Sequence, residues 1–83
     1  MNPTDEVLDI WQELIDTFNN DKDYVKVKSA VGGEGQVYVK KDGSELIKID
    51  GFNKFIEINI VSFYGSPQKY VIKTKEDLDE FLG

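Results

Sequence analysis

Three residue types are missing from this 83-residue chain: it has no cysteine, no histidine and no arginine. Without cysteine, neither a disulfide nor a thiolate metal site can staple the fold. Without histidine there is no imidazole ligand for zinc and no unperturbed side chain that titrates near neutrality. Without arginine there is no bidentate fork for phosphate or guanine. No apolar run approaches the ~20 residues of a membrane span, and the acidic start MNPTDEVLD does not read as a signal peptide. The Asn2-Pro3-Thr4 triplet carries the Pro that forbids glycosylation. These absences point to a cytoplasmic protein with no membrane contact and no cofactor. A chain of this length makes one small domain, residues 1–83, burying roughly 60% of its unfolded surface.

What is present is charge, unevenly spread. The net charge is −6, yet residues 24–73 carry eight Lys against five acids. Residues 1–23 carry seven acids against one Lys, and residues 74–83 four against one. The ends of the chain are acidic and the middle is basic.

The longest β-type stretch is Phe55 to Tyr64, FIEINIVSFY, without Gly or Pro and rich in β-branched and aromatic residues. Alternation sets Ile56, Ile58 and Ile60 on one face and Phe55, Glu57, Asn59, Val61 and Phe63 on the other. The first face has the composition of a core, and this strand is placed at the centre of an antiparallel sheet.

The rest of the chain is arranged around it. Residues 3–18 read as an amphipathic helix, capped by Asn2 with Pro3 following, or by Thr4 with Asp5 and Glu6 in the first turn. Val7, Ile10, Trp11, Leu14, Ile15 and Phe18 share one arc, while Asp5, Asp9, Glu13 and Asp16 share the opposite one. Tyr24 to Val31 alternates as a strand, with the valines on one side and Tyr24, Lys26 and Lys28 on the other. After the Gly32-Gly33-Glu34-Gly35 turn, Gln36 to Lys40 reads as a strand with Val37 and Val39 inward and Tyr38 and Lys40 outward. Asp42-Gly43 is a two-residue hairpin signal, and Glu45 to Asp50 returns with Ile47 and Ile49 inward. Gly65-Ser66-Pro67 turns the chain into Lys69 to Lys73, with Tyr70 and Ile72 inward. Thr74-Lys75-Glu76-Asp77 has the spacing of a capping box, with Asp replacing Glu, and opens a last helix buried through Leu78, Phe81 and Leu82. The expected fold is α+β: an antiparallel five-stranded meander with an N-terminal and a C-terminal helix packed on one face, in the order α-β-β-β-β-β-α.

Motifs that carry chemistry fail on inspection. Asn19-x-Asp21-x-Asp23 resembles the start of a calcium loop, but Tyr24 stands where Gly is required and Ala30 where the bidentate Glu should be. Gly33-x-Gly35 leads into a strand rather than a helix N-terminus, so it cradles no phosphate. Ser29, Ser44, Ser62 and Ser66 have no histidine to activate them. Catalysis is therefore not expected.

Three surfaces remain. Asp5, Asp9, Glu13 and Asp16 make an acidic ridge, at a cost of roughly 0.2–0.5 kcal/mol for each like-charged i,i+4 pair; it is either a solvated face or a contact for a basic partner. The outer sheet face is expected to expose Phe55, Val61, Phe63 and Val71, together with Leu46, an apolar set suited to a protein partner or a second copy. The expected function is a small non-catalytic protein–protein interaction module, regulatory or inhibitory. The alternative is single-stranded nucleic-acid binding on a Lys/Tyr face made of Tyr24, Lys26, Lys28, Tyr38, Lys40 and Lys48, against which the net negative charge and the lack of arginine both weigh.

Overall fold

A computed structural model describes residues 4–27 and 35–83. The order is α1 (Asp5–Asn20), β1 (Tyr24–Val27), β2 (Gln36–Lys40), β3 (Glu45–Gly51), β4 (Ile56–Ser62), β5 (Gln68–Ile72) and α2 (Lys75–Leu82). The five strands form one sheet in sequential order, every neighbouring pair antiparallel. This is the expected meander. The second half of the anticipated first strand, with Lys28 and Val31, lies outside the described residues, as do the Asn2–Pro3 cap and the turn before Gly35.

Thr4 starts α1: its hydroxyl accepts from the Val7 N–H at 3.2 Å, and its own N–H donates to Asn53 O at 3.2 Å. Both bonds satisfy backbone groups at a helix entrance, and the second ties α1 to the β3–β4 turn. Val7, Ile10, Leu14 and Phe18 then form one buried stripe. They meet Ile47 and Ile49 of β3, Ile56 and Ile58 of β4, Ile72 of β5 and Leu78 of α2. The isoleucines of β4 are fully buried at positions 56 and 58, each worth about 1.5–3 kcal/mol of apolar transfer. α1 lies across the sheet from β1 to β4 and touches α2, which rests on β5 through Phe81 and Tyr70, rings 5.1 Å apart. Leu82, expected in that buried face, stays exposed near the end of the chain. Both helices thus cover one face, and the sheet has an inner and an outer side.

The capping box at α2 forms as its spacing implies. The Thr74 hydroxyl accepts from Asp77 N–H at 3.2 Å, while Asp77 Oδ2 accepts from Thr74 N–H at 3.2 Å and Lys73 N–H at 3.0 Å. These backbone donors hold the Asp77 carboxyl below the usual carboxylate range. A lowered folded value means the cap stabilises above the unfolded carboxyl pKa of about 3.9 and is lost as pH falls through the lowered value. Thr74→Ala should cost about 1 kcal/mol. The melting temperature difference between wild type and Asp77→Asn should be present at neutral pH and close as the solution is acidified. A difference that persists unchanged in strong acid would rule out this role for the carboxylate.

Candidate interaction surfaces

The strand register decides which side chains reach the outer face. Ile47 and Ile60 are partners, and Ile49 pairs with Ile58. Across the β2–β3 pair, Tyr38 faces Ile47 and Val39 faces Leu46. Partners share a face, so Tyr38 belongs with the inner isoleucines and Val39 with the outer Leu46. The β1–β2 pair extends this: Lys26 sits opposite Tyr38, while Val25 and Val27 sit opposite Val39 and Val37.

This corrects the expected parity of the first two strands. Tyr38 is completely buried, and its hydroxyl donates to Asn19 Oδ1 at 2.9 Å. Its ring lies 5.3 Å from that of Phe18, which in turn meets Tyr24 edge-on at 5.4 Å. Burial, and secondarily the nearby Asp16 charge, raises the Tyr38 pKa. Tyr24 is half-buried on the same side and donates to Glu45 Oε1 at 2.6 Å; burial and that carboxylate push its pKa well up. An aromatic cluster under the end of α1 takes both tyrosines because their rings fill the core and their hydroxyls reach polar partners at its rim. Lys26 and Lys40 flank them on the inner face, whereas Lys48 is on the outer face. Lys28 lies outside the described residues. The Lys/Tyr platform is therefore not assembled: its aromatic members face the helices.

The outer face that results is more apolar than the sequence reading allowed. Val25, Val39, Leu46 and Val61 form one continuous row across four strands. Val27 and Val37 extend it on β1 and β2. Phe63, 83% exposed, borders a shallow depression of about 360 Å³ lined by Val39, Leu46 and Val61. Beyond this region the face becomes polar. Asn59 Nδ2 donates to Glu57 Oε1 at 3.1 Å, Lys69 bridges to Glu57 at 3.4 Å, and Lys48 to Asp50 at 3.8 Å. The Asn59 amide first, then Lys69 and Lys48, hold the Glu57 carboxyl low.

Three of the five expected patch residues, Leu46, Val61 and Phe63, are in the apolar region. Val71 is exposed on the outer face, but opposite Glu57 and in the polar corner. Phe55 leaves the sheet face altogether. The Phe52 N–H donates to Phe55 O at 2.9 Å, closing the turn before β4, and the two rings stack at 4.8 Å. The four valines of β1 and β2 are the residues that the sequence reading missed. The signal for them was the Asp42–Gly43 turn, whose register sets Tyr38 against Ile47.

On the opposite surface, Asp5, Asp9, Glu13 and Asp16 are all exposed along α1, as expected. Gln12 Nε2 donates to Asp16 Oδ1 at 2.8 Å. Asp9, Glu13 and Asp16 line an open groove with Gln12 and Lys75. Where the sequence suggested half of a calcium loop, Asn19 serves Tyr38 and Asp21 accepts from Asp23 N–H at 2.9 Å, an ordinary side-chain turn. Among the described residues no group of acidic side chains is placed to hold a metal ion, and no charged side chain is buried. Among the described residues no helix is long and apolar enough to cross a membrane.

No protein-family model matches the chain, and no curated protein or solved structure matches it either.

Proposed function

We propose that this chain is a small protein–protein interaction module that acts by occupying a partner rather than by transforming a substrate. The observation that carries this reading is the bare outer face of the sheet. Both helices pack on the inner side, so the row Val25–Val39–Leu46–Val61 and the ring of Phe63 have no cover within the described residues. A contiguous apolar patch ringed by polar groups is the usual mark of an association surface. Chemistry finds less support. The carboxylates that shift, Asp42, Glu57 and Asp77, all shift downward through hydrogen bonds, which suits fixed charges and not proton carriers. A cysteine-free chain with an acidic surface suits a reducing, aqueous compartment such as the cytoplasm.

The acidic ridge of α1 is the second surface of the same module, turned away from the sheet contact and available to a basic partner. Affinity capture from the native lysate with mass spectrometry tests the assignment. Wild type should retain a protein, Leu46→Lys should lose it, and Asp9→Lys with Glu13→Lys should lose only a partner held by the ridge. Capture that neither variant alters would remove both surfaces from the account. Retention of nucleic acid in place of protein would overturn the module reading itself.

A further inference from the structure

We propose that the free edge of β5 takes an extended cationic peptide segment of another protein as a sixth, antiparallel strand, with one Lys or Arg side chain seated between β5 and α2. This contact is separate from the outer face, and it holds whether or not that face has a partner.

The hydrogen-bond phase of the sheet shows which groups the edge offers. Phe63 N–H donates to Ser44 O at 2.8 Å, and Phe52 N–H to Phe55 O at 2.9 Å. Both pairs continue the β3–β4 register at its two ends, where Glu45 is opposite Ser62 and Gly51 opposite Ile56. Bonded and non-bonded pairs alternate along an antiparallel ladder. Glu57, Asn59 and Val61 therefore bond to β3, while Ile56, Ile58 and Ile60 turn their backbone groups towards β5. Their partners there are Ile72, Tyr70 and Gln68. The N–H and C=O groups of Lys69 and Val71 point the opposite way, off the last strand of the sheet, and among the described residues no strand meets them. Gln68 to Val71 are all exposed. Two residues thus offer four backbone groups at ladder spacing, the template for strand addition.

The edge also has a wall. α2 turns Leu78 into the core and sets Asp77, Glu80 and Phe81 beside Tyr70, Val71 and Ile72, around a groove of about 250 Å³. β1, the other edge strand, stops where the described residues stop. A peptide residue opposite Tyr70 occupies a non-bonded position, its Cα about 4.5 Å away, and its side chain points to the inner face. It enters this groove. The rings of Tyr70 and Phe81 form the floor, and the carboxylates of Asp77 and Glu80 form the rim. A Lys or Arg stem lies along such rings while its charged head meets the rim. The peptide residues on either side face outward, where an apolar one covers exposed Val71.

Charge selects the occupant. Residues 74–83 carry four acids against one Lys, and the whole chain carries −6, so a cationic segment is drawn to the molecule and then to this groove. A second copy joined through the same edge would continue the sheet and bring α2 beside α2, carboxylates against carboxylates. Pro67 at the entrance of β5 also shortens the edge that a copy could use.

NMR titration of the labelled full chain with a blocked pentapeptide tests this, the probe having arginine at its centre, valine on either side and threonine at each end. Amide shifts should move at Lys69, Tyr70, Val71, Glu80 and Phe81, and not at Val25, Val39 or Leu46. Raised salt should weaken binding. A pentapeptide with glutamate at its centre should bind about fivefold more weakly, and Glu80→Lys should reverse that preference. Val71→Pro removes an outward N–H without touching the ladder to β4, so that variant should keep its native circular dichroism and lose the peptide. Methylating the backbone nitrogens of both valines in the peptide removes the same bonds with no change to the protein, and it should abolish binding. Leu46→Lys should bind the peptide as wild type does, which keeps this contact distinct from the outer face. Absence of shifts at Lys69 and Val71 in millimolar peptide, undiminished binding of the methylated peptide, or loss of binding in a folded Leu46→Lys overturns the sixth strand. Equal affinity for the arginine and glutamate peptides overturns its cationic character. Shifts at Lys69 and Val71 on dilution of the chain alone would give the edge to a second copy and overturn the foreign peptide.

Discussion

Tyr38→Ala should cost about 3–5 kcal/mol and leave much of the protein unfolded, whereas Val39→Lys, one residue along, should leave it folded. A chain of this length has a total stability of roughly 4–12 kcal/mol, so the first loss takes a large share of it. Tyr38 is completely buried against Phe18 and opposite Ile47, and truncating it opens a cavity where α1 meets the sheet. The hydroxyl contributes little of this, because its partner Asn19 is exposed and can turn to water. Tyr38→Phe should therefore cost about 1 kcal/mol or less. Val39 is on the outer face, half-buried between Val25 and Leu46. A lysine there can lay its stem along the patch and keep its ammonium in water. Urea unfolding of the three variants gives the order at once. A folded Tyr38→Ala beside an unfolded Val39→Lys would mean that the faces of β2 are the reverse of those described.

That parity is also where sequence and structure part company. Helix α1, the β4 core face and the α2 capping box could be read directly, because each is fixed by local pattern: a 3.6-residue apolar stripe, an isoleucine every second residue, and Thr74 three positions before Asp77. In β1 and β2 local pattern misleads. Valine looks more apolar than tyrosine and lysine, so Val37 and Val39 read as inward and Tyr38 as outward. Tertiary context reverses the choice, since the space beneath Phe18 suits an aromatic ring with a polar end. The contradiction was nevertheless present in the chain. A turn centred on Asp42–Gly43 sets Tyr38 opposite Ile47, whether the strands close at Lys41 and Ser44 or, as here, at Lys40 and Glu45. Once Ile47 is inward, so is Tyr38. Applied to the register, the turn outweighs hydrophobicity.

The same reversal changes the candidate site. With the tyrosines inward, the aromatic members of a nucleic-acid platform are spent on the core. With the valines outward, the apolar patch shifts from β4 and β5 towards β1, β2 and β3. Phe55 and Val71 drop out for separate reasons. Phe55 stands in the turn before β4, and Val71 shares its corner with Glu57 and Lys69. Strand alternation alone places a residue on a face but not beside a neighbour, and only the register joins Val61 to Leu46 and Val39.

Trp11 gives the other large effect, with a partner that tests it. Trp11 is half-buried, and its ring lies over the backbone of Gly51 at the end of β3. A Cβ added at Gly51 would come within 3.2 Å of Trp11 Cε3 and 3.3 Å of Cζ3, closer than such atoms ordinarily approach. The glycine is there to admit the indole. Trp11→Ala should cost about 3 kcal/mol, the lower end for an aromatic truncation, because part of the ring already faces water. Gly51→Ala in wild type should also destabilise, since the ring is held between α1 and the sheet and can withdraw only by loosening α1. In the Trp11→Ala background the obstruction is gone. There Gly51→Ala should become neutral or stabilising by up to about 1 kcal/mol, as the unfolded chain loses the freedom of a glycine. The sign change is the signature: a double-mutant cycle should give a coupling of about 0.5–3 kcal/mol between the two positions. Equal effects of Gly51→Ala in both backgrounds would separate the indole from Gly51 and place the packing of α1 elsewhere on the sheet.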